Sequence, residues 1–557
     1  MVSPVEILSR EIEHHLNAPA LVRPCTDPRL GDFQANGVLA AAKQRGQNPR
    51  ALAEQIVTRL SLADVCEPPE VAGPGFINFR LKPSFVAQQL RSMMSDERLG
   101  VAPASPAETI VFDFSGPNVA KQMHVGHIRS TIIGDALARV ARYLGHRVIT
   151  DNHLGDWGTQ FGMLIVGWNR FRDDAALQRD PLSELERLYR EVNARPELRE
   201  EARAELVKLQ RGDPANRAIW QHILDLSRHA FDEIYEKLGV RFDFTLGESF
   251  YNPMLPDVVK ELLDCGIARV SDGAVCVFAA DQPTPLIIQK SDGGYGYGTT
   301  DLATVKYRVE NWRPHRIVYV TDARQQLHFK LVFATVRRWL PNPPHLEHVA
   351  FGSILGEDGK PLRTRSGENI KLRELLAEAE ERALTIATSK NPHLPEDQRR
   401  EIAQVIGIGA VKYADLCQNR TTDYVFSWDK MLALDGNTAP YLQYAYVRIR
   451  SIFRKAGLSV VPVPSQLEFQ DASELDLGKH LLRFRDVLYD VLADYKPNWL
   501  TAYLYELAGK FTAFYDRCPV LASPEPTRQQ RLAMCQLTGN VLRTGLDLLG
   551  IRVLEQM

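Results

Sequence analysis

Between residues 109 and 150 the chain reads as buried strand, polar turn, long helix and second strand, a succession that few folds accommodate. Thr109–Phe114 (TIVFDF) is an apolar run of strand length. SGPNVAKQMHVGH follows it, and Ile128, Ile132, Ala136, Val140 and Leu144 then recur on one face of a helix. Gly145 closes that helix, and Arg147–Thr150 (RVIT) supplies the next strand. Such a unit is the building block of a parallel, nucleotide-binding sheet. A later strand, Ile317–Val320 (IVYV), and the helical pattern from about Leu327 to Trp339 predict the other half of that sheet.

The turn between the first strand and its helix is the most informative stretch. Open parallel sheets bind ligands beyond the carboxyl ends of their strands, and free amides together with the helix dipole favour phosphate at a helix start. Gly126, with no side chain, would let a flat adenine ring approach the backbone. His124 and His127, three residues apart, would face the same way and donate hydrogen bonds to phosphate oxygens as charge develops at an α-phosphate. The same histidines, with His153 and Asp156 from the next loop, would also suit a metal, and a purely structural turn is a third reading. That next loop, Asp151–Gly158 (DNHLGDWG), is polar and Gly-rich directly after a strand. It points into the same crevice unless it is a plain turn.

A chain of 557 residues exceeds one hydrophobic core, so roughly three to five domains are expected. With 45% apolar and 24% charged residues it reads as soluble globular protein, and a net charge of -2 neither suggests nor excludes a nucleic-acid partner. The seven cysteines are scattered without C-x-x-C spacing, which argues against a zinc ribbon or disulfide framework and fits the reducing cytoplasm. The opening MVSPVEILSREIEHHL is broken by charges too early for a signal peptide, and no apolar run reaches membrane-spanning length. Residues 1–105 are expected to form one unit, ending in the Pro-rich linker VAPASPAE, and residues 106–375 the α/β unit. A charge-rich, helical interruption of about 169–289 is expected to stand off the sheet. Residues 376–435 and 436–557 read as helical, the latter with 14 Lys or Arg against 12 Asp or Glu, too even a balance to argue RNA contact.

Three further constellations carry chemistry. In SDGGYGYGTTDLATVKYR, Tyr297 and Asp301 lie four residues apart, so a helical turn starting near Thr300 would place them around one cavity. A carboxylate matches the planar donor fork of a guanidinium, on which Tyr297 would stack, although Asp301 equally suits a helix N-terminus. FGSILGEDGKPLRTRSGENIKL combines glycines with Lys360, Arg363 and Arg365, as either a basic surface loop or a mobile phosphate clamp. Tyr441, Tyr444, Tyr446, Arg448, Arg450 and Arg454 interleave aromatics with cations, which suits stacking on single-stranded bases; a structural helical bundle is the alternative.

SGPNVAKQMHVGHIRST resembles the HIGH motif of class I aminoacyl-tRNA synthetases in the setting used by arginyl-tRNA synthetases. DNHLGDWGTQFG, YVTDARQQLHF, NTAPYLQYA, LLGIRVLEQM, GDFQAN and GPGFINF resemble that family as well, so the likeness covers nearly the whole chain. It implies a Rossmann-like catalytic domain with an insertion, an α+β N-terminal tRNA-binding domain and a C-terminal helical anticodon-binding domain. The implied reaction is ATP-dependent formation of arginyl-adenylate from L-arginine, then transfer to tRNA(Arg), with Mg2+ accompanying ATP and no dedicated protein metal site. His124, Gly126 and His127 would hold ATP, with Gly155 and His328 beside the nucleotide, although His328 also suits a helix cap. Ser115, Asn118 and His153 would shape the arginine end, read by Tyr297, Asp301 and Gln325. Phe33, Asn36, Phe76 and Asn78 would meet the D-loop corner of the tRNA, and the Tyr441–Arg454 cluster its anticodon stem-loop; Phe76 and Phe79 also suit a core. The chain departs from the family's wider class in lacking a K-M-S-K-S loop. Lys121 is then a candidate for the missing cation beside Lys360, Arg363 and Arg365. The resemblance further implies a monomer. Another class I synthetase, or a tRNA-binding paralogue that has lost activity, is the alternative.

Overall fold

The structure is a computed structural model that describes residues 2–279, 282–363 and 370–557. Its N-terminal unit is an antiparallel sheet of short strands, β1 (Val22–Pro24), β2 (Phe33–Ala35), β3 (Glu70–Ala72) and β4 (Phe76–Phe79), in the order β1-β2-β4-β3. Phe33 pairs opposite Phe79, and Gln34 opposite Asn78, so alternation sends both phenylalanines to one face; the helices Pro4–Leu16 and Pro49–Val57 pack on the sheet. The phenylalanines are core.

The central α/β unit begins with β5 (Thr109–Phe114), buried from Ile110 onward because helices cover both of its faces. Helix Val125–Tyr143 leads from it to β6 (Arg147–Asp151). After β6 come the interruption's helices Gln160–Phe171, Pro181–Asn193, Arg199–Gln210 and Pro214–Leu238. Its second part is a small antiparallel sheet, β7 (Ala268–Ser271), β8 (Ala274–Val277) and β9 (Leu286–Gln289), which sequence periodicity did not reveal. The expected boundary at 169 falls inside helix Gln160–Phe171. Nor does the whole interruption stand off the sheet: the 25-residue helix Pro214–Leu238 buries Ile223, Ser227, Phe231 and Tyr235 against the signature turn and its helix.

The chain returns through helix Tyr297–Trp312 to β10 (Arg316–Val320), then through helix Gln326–Trp339 to β11 (His345–His348). The parallel sheet has the order β11-β10-β5-β6, with Ile317 opposite Val111 and Val320 opposite Phe114. Chain direction diverges between β5 and β10, so a crevice opens at their carboxyl ends. Helix Tyr297–Trp312 is pinned there by Arg308, fully buried, whose Nη2 donates to Asp113 at 2.6 Å and to Asp151 at 2.8 Å.

Two short parallel strands, β12 (Ile354–Leu355) and β13 (Tyr424–Val425), join the α/β unit to the helices that follow. Those helices include Leu372–Lys390, Glu396–Leu416, Ala439–Ala456 (opened by Pro440 in its first turn) and Thr527–Leu548. One hydrophobic core runs from Leu8 to Ile551 through all three units. Arg485 Nη1 to Glu6 at 2.6 Å and Lys479 Nζ to Asp32 at 2.8 Å clamp the N-terminal sheet to the helical end. At the centre, fully buried Lys412 donates to the Leu238 and Gly550 carbonyls at 2.7 Å each, 4.0 Å from Asp135 of the signature helix.

Candidate active site

The crevice between β5 and β10 holds a cavity of about 650 Å³. Ser115, Gly116 and Asn118 enter from the end of β5, His124, Gly126 and His127 from the following helix, and His153 and Gly155 from the loop after β6. Tyr297, Asp301, Gln325 and His328 close the other side. Eleven of the residues expected from sequence to meet nucleotide or arginine thus line one space. Gln325 lines the cavity, whereas the adjacent Gln326 does not.

His124 and His127 cap their own helix reciprocally. The Gly126 amide donates to His124 Nδ1 and the His124 amide donates to His127 Nδ1, each at 3.1 Å, with the rings 4.0 Å apart. A neutral imidazole that accepts at Nδ1 carries its proton on Nε2, so both rings present an N–H donor. Burial pushes both pKa values down, helped at His124 by Arg324 and Lys121, and His127 falls to about 3. They are therefore neutral donors at physiological pH, not cations. Gly126 is required beneath the fold-back: a Cβ there would stand 2.9 Å from the His124 ring.

The two βα loops are stitched together. Val119 N–H donates to the Gly155 carbonyl at 3.0 Å, and Gly155 N–H to Pro117 at 3.2 Å. A Cβ on Gly155 would lie 2.2 Å from Asn118 Oδ1, so only glycine admits that amide. Ser115 adopts a positive φ of 74°, and its hydroxyl bonds the Tyr235 hydroxyl at 2.8 Å. Asn152 Nδ2 donates to the same Tyr235 oxygen at 3.1 Å, while its Oδ1 accepts from Gly116 N–H at 3.1 Å. Tyr235 of the interruption is thus a post for the first loop, a role no local pattern announced. His153 stacks on Tyr251, its Nδ1 buried without a partner. Asp156, one of the metal ligands considered from sequence, instead accepts from Ser249 N–H and Oγ at 2.8 and 2.6 Å.

The opposite end is acidic. Tyr297 and Asp301 occupy the first turns of helix Tyr297–Trp312, three residues earlier than expected. Asp301 Oδ2 lies 2.5 Å from His328 Nε2. His328, expected beside the nucleotide, therefore belongs to the Asp301 end; burial alone would lower its pKa, but the carboxylate outweighs it and the pKa is raised. Glu248, which sequence reading missed, also faces this end; burial, then Asp156 and Asp301, push its carboxyl up to about 8. Two carboxyl groups and an exposed tyrosine ring converging here suit a planar cation. Arg324, bonded to Asp322, adds positive charge on the His124 side of the cavity.

The candidate phosphate clamp is placed differently. Lys360 sits in a tight turn, where Gly356 N–H donates to the Lys360 carbonyl at 2.7 Å, and like Arg363 it is exposed and does not line the cavity. Arg365 lies outside the described residues. Lys121 lines an adjoining cavity that shares the His124 wall.

Several RNA candidates have partners within the protein itself. Phe33 is 3% exposed in the N-terminal core, and Asn78 is 4% exposed, its Oδ1 accepting from Gln34 Nε2 at 2.8 Å. Asn36 and Phe76 are half-buried. On helix Ala439–Ala456, Tyr446 is buried and bonds Glu555 at 3.0 Å, Arg450 pairs with Glu555 at 2.6 Å, and Arg454 donates to its carbonyl at 2.6 Å. Arg448 pairs with Asp516 at 3.4 Å and stacks over Tyr515. The interleaving of cations and aromatics therefore largely fastens the chain's own tail. Tyr444, 54% exposed, and half-buried Tyr441 beside Tyr505 remain accessible.

Comparison with known proteins agrees with this geometry. Residues 89–428 match the family described as tRNA synthetases class I (R), catalytic domain; residues 442–557 match the DALR anticodon binding domain, and residues 6–81 the arginyl tRNA synthetase N terminal domain. An arginine–tRNA ligase of Synechococcus sp. is 49% identical, over 97% of this chain and 95% of its own. One from Chromobacterium violaceum is 48% identical, over 97% and 96%. The solved arginyl-tRNA synthetase of Plasmodium falciparum superposes with a TM-score of 0.86 at 30% identity, covering 99% of this chain and 98% of its own. A parallel sheet with paired neutral histidines at its switch point, an acidic recess opposite and this likeness along the whole chain make it a member of the arginine–tRNA ligase family of class I aminoacyl-tRNA synthetases.

Proposed function

We propose that the chain, as an enzyme of this family, makes arginyl-adenylate in the 650 Å³ cavity and passes the arginyl group to tRNA(Arg). The substrate guanidinium enters the acidic recess, bidentate to Asp301 and Glu248 with Tyr297 over its plane. Its carboxylate then faces the α-phosphate of ATP, which the Nε2–H groups of His124 and His127 hold while Gly126 and Gly155 leave room for the nucleoside. The carboxylate oxygen bonds to the α-phosphorus and pyrophosphate leaves; orientation and fixed donors supply the acceleration, without a covalent enzyme nucleophile. In the second step a 3′-terminal ribose hydroxyl of the tRNA attacks the activated carbonyl and AMP leaves. His153 and Gln325, which line the cavity, complete the substrate's polar contacts.

Mg2+ enters with ATP and neutralises phosphate charge when bound. The ion is carried by the nucleotide, as hard Mg2+ is usually bound through substrate phosphates. Exposed Tyr444, with Tyr441, supports anticodon contact, and Asn36 and Phe76 remain for the D-loop corner. No described helix is long and apolar enough to cross a membrane. Seven unpaired cysteines support work in the reducing cytoplasm, and the family resemblance implies a monomer.

The observation that carries this reading is the pairing of an acidic recess with two neutral histidine donors in one cavity. Arginine-dependent exchange of pyrophosphate into ATP, with and without tRNA(Arg), tests it. Exchange in either condition, lost in Asp301→Ala, supports the assignment; silence in both despite tRNA binding would mark a paralogue that has lost activity.

A further inference from the structure

Behind the His124 ring lies a second cavity of about 320 Å³, walled by Lys121 and Gln122 of the signature turn and by Gln160 and Tyr189 of the interruption's helices. Lys371 completes it. Backbone pairing brings that lysine there: Val125 N–H donates to the Ile370 carbonyl at 3.0 Å and Leu372 N–H to Met123 at 2.8 Å, setting His124 opposite Lys371. Both hydrogen bonds belong to flanking residues. The Lys371 side chain therefore carries no part of the strand contact.

Charge in this cavity is unbalanced. Among the described residues neither Lys121 nor Lys371 reaches a carboxylate: Lys121 Nζ lies 5.8 Å from the Tyr189 ring centroid, and Lys371 Nζ finds only Ser183 Oγ, at 3.4 Å. Glu186, the cavity's carboxylate, already accepts from Gln122 N–H at 2.8 Å and lies 3.6 Å from Arg190. Two ammonium groups sharing one cavity with a neutral imidazole donor form a receptor for a polyanion, and His124 lines both this cavity and the larger one. Lys371 is also preorganised. It caps helix Leu372–Lys390 in an extended conformation, φ -69° and ψ 135°, whereas Lys360 sits in an exposed turn.

We propose that Lys371 is a catalytic residue that, with Lys121, holds the β- and γ-phosphates of ATP and the departing pyrophosphate in this second cavity. The proposal rests on the reading that the α-phosphate lies against His124. As the arginine carboxylate bonds to the α-phosphorus, the bond from that phosphorus to the bridging oxygen breaks. Its electron pair leaves with pyrophosphate, whose added negative charge the two ammonium groups offset; no proton moves. Lys371 thereby supplies the compact ammonium group that the RTRSG sequence, with arginines only, lacks.

Pyrophosphate–ATP exchange by the full-length protein, with arginine and tRNA(Arg) present, tests this in Lys371→Ala and Lys371→Arg. Loss of one charged contact predicts that Lys371→Ala raises the KM for pyrophosphate or lowers kcat by about tenfold to hundredfold. Arginine KM, tRNA Kd and melting temperature stay within about twofold or a degree or two, and Lys371→Arg restores part of the loss. Wild-type pyrophosphate KM and kcat in Lys371→Ala would overturn the proposal, as would a loss shared equally by arginine KM and tRNA Kd. If Lys371→Ala lowers the melting temperature, Lys371→Met, which keeps the aliphatic stem, is judged by the same ratio of constants. His124→Ala separates the two readings. Unchanged exchange in that variant overturns the α-phosphate reading and this proposal together, whereas a His124→Ala defect beside an indifferent Lys371→Ala overturns this proposal alone.

Discussion

Titrating L-arginine into the protein between pH 6 and 9 tests the acidic recess where Glu248 faces Asp301. With its carboxyl pushed up to about 8, Glu248 is mostly protonated at neutral pH in the empty site. A guanidinium pairs bidentately only with the carboxylate ion, so arginine must displace that proton. The measured Kd then exceeds the intrinsic one by roughly tenfold at pH 7 and hundredfold at pH 6, levelling above pH 8. His328 acts with the same sign: its raised pKa means that below its titration a cation occupies Asp301 and competes with the substrate. Calorimetry in buffers of different ionisation enthalpy should show arginine Kd falling about tenfold per pH unit from 6 to 8, with close to one proton released at pH 7. Glu248→Gln removes the Glu248 component, and His328→Asn separates the smaller one. A Kd flat across this range without proton release, or an unchanged slope in Glu248→Gln, would refute the reasoning.

Asp301→Ala should raise arginine Kd by roughly tenfold to hundredfold while leaving ATP Kd nearly unchanged, both read by calorimetry; equal weakening of the two would remove Asp301 from the arginine end. Tyr235→Phe strips the hydroxyl shared by Ser115 and Asn152. It should cost about 1–3 kcal/mol in urea unfolding and slow adenylation through the loosened first loop. Burial lowers Lys412 from 10.5 to about 8, so between those values the unfolded chain binds the proton more tightly and stability rises with pH. Urea unfolding at pH 8 and 10 should therefore show a rise in stability on the order of 2 kcal/mol, absent in Lys412→Met; the opposite slope would contradict the burial argument.

The α/β unit was legible because its signals are local: β5 is a continuous apolar run, its helix keeps one face for nineteen residues, and Gly145 ends it. The sheet of β7, β8 and β9 was not, since strands of four residues are too short for periodicity to distinguish them from turns. In the site, Tyr297 and Asp301 share a helical turn, so spacing alone joins them. Glu248 comes from another helix some fifty residues earlier, and only tertiary packing sets it opposite Asp301. The burial or internal pairing of several RNA candidates has a related cause. Phe33 and Asn78 have the right chemistry for bases, but strand register turns them toward the core and toward Gln34. Tyr446 and Arg450 lie on one helical face whose partner, Glu555, is a hundred residues away.

The adjacency of β5 and β10 has a bearing on the protein's synthesis. Thr109 and His315, hydrogen-bonded across these neighbouring strands, are 206 residues apart in sequence. At ordinary elongation rates the ribosome spends roughly 10–40 s making that intervening stretch. Throughout that interval β5 and β6 can pair, but the apolar inner edge of β5 has no native neighbour. The nascent chain thus carries an unpaired, apolar strand edge until the whole interruption has emerged, which makes this interval the natural point for chaperone engagement and for synonymous changes in translation speed to alter yield.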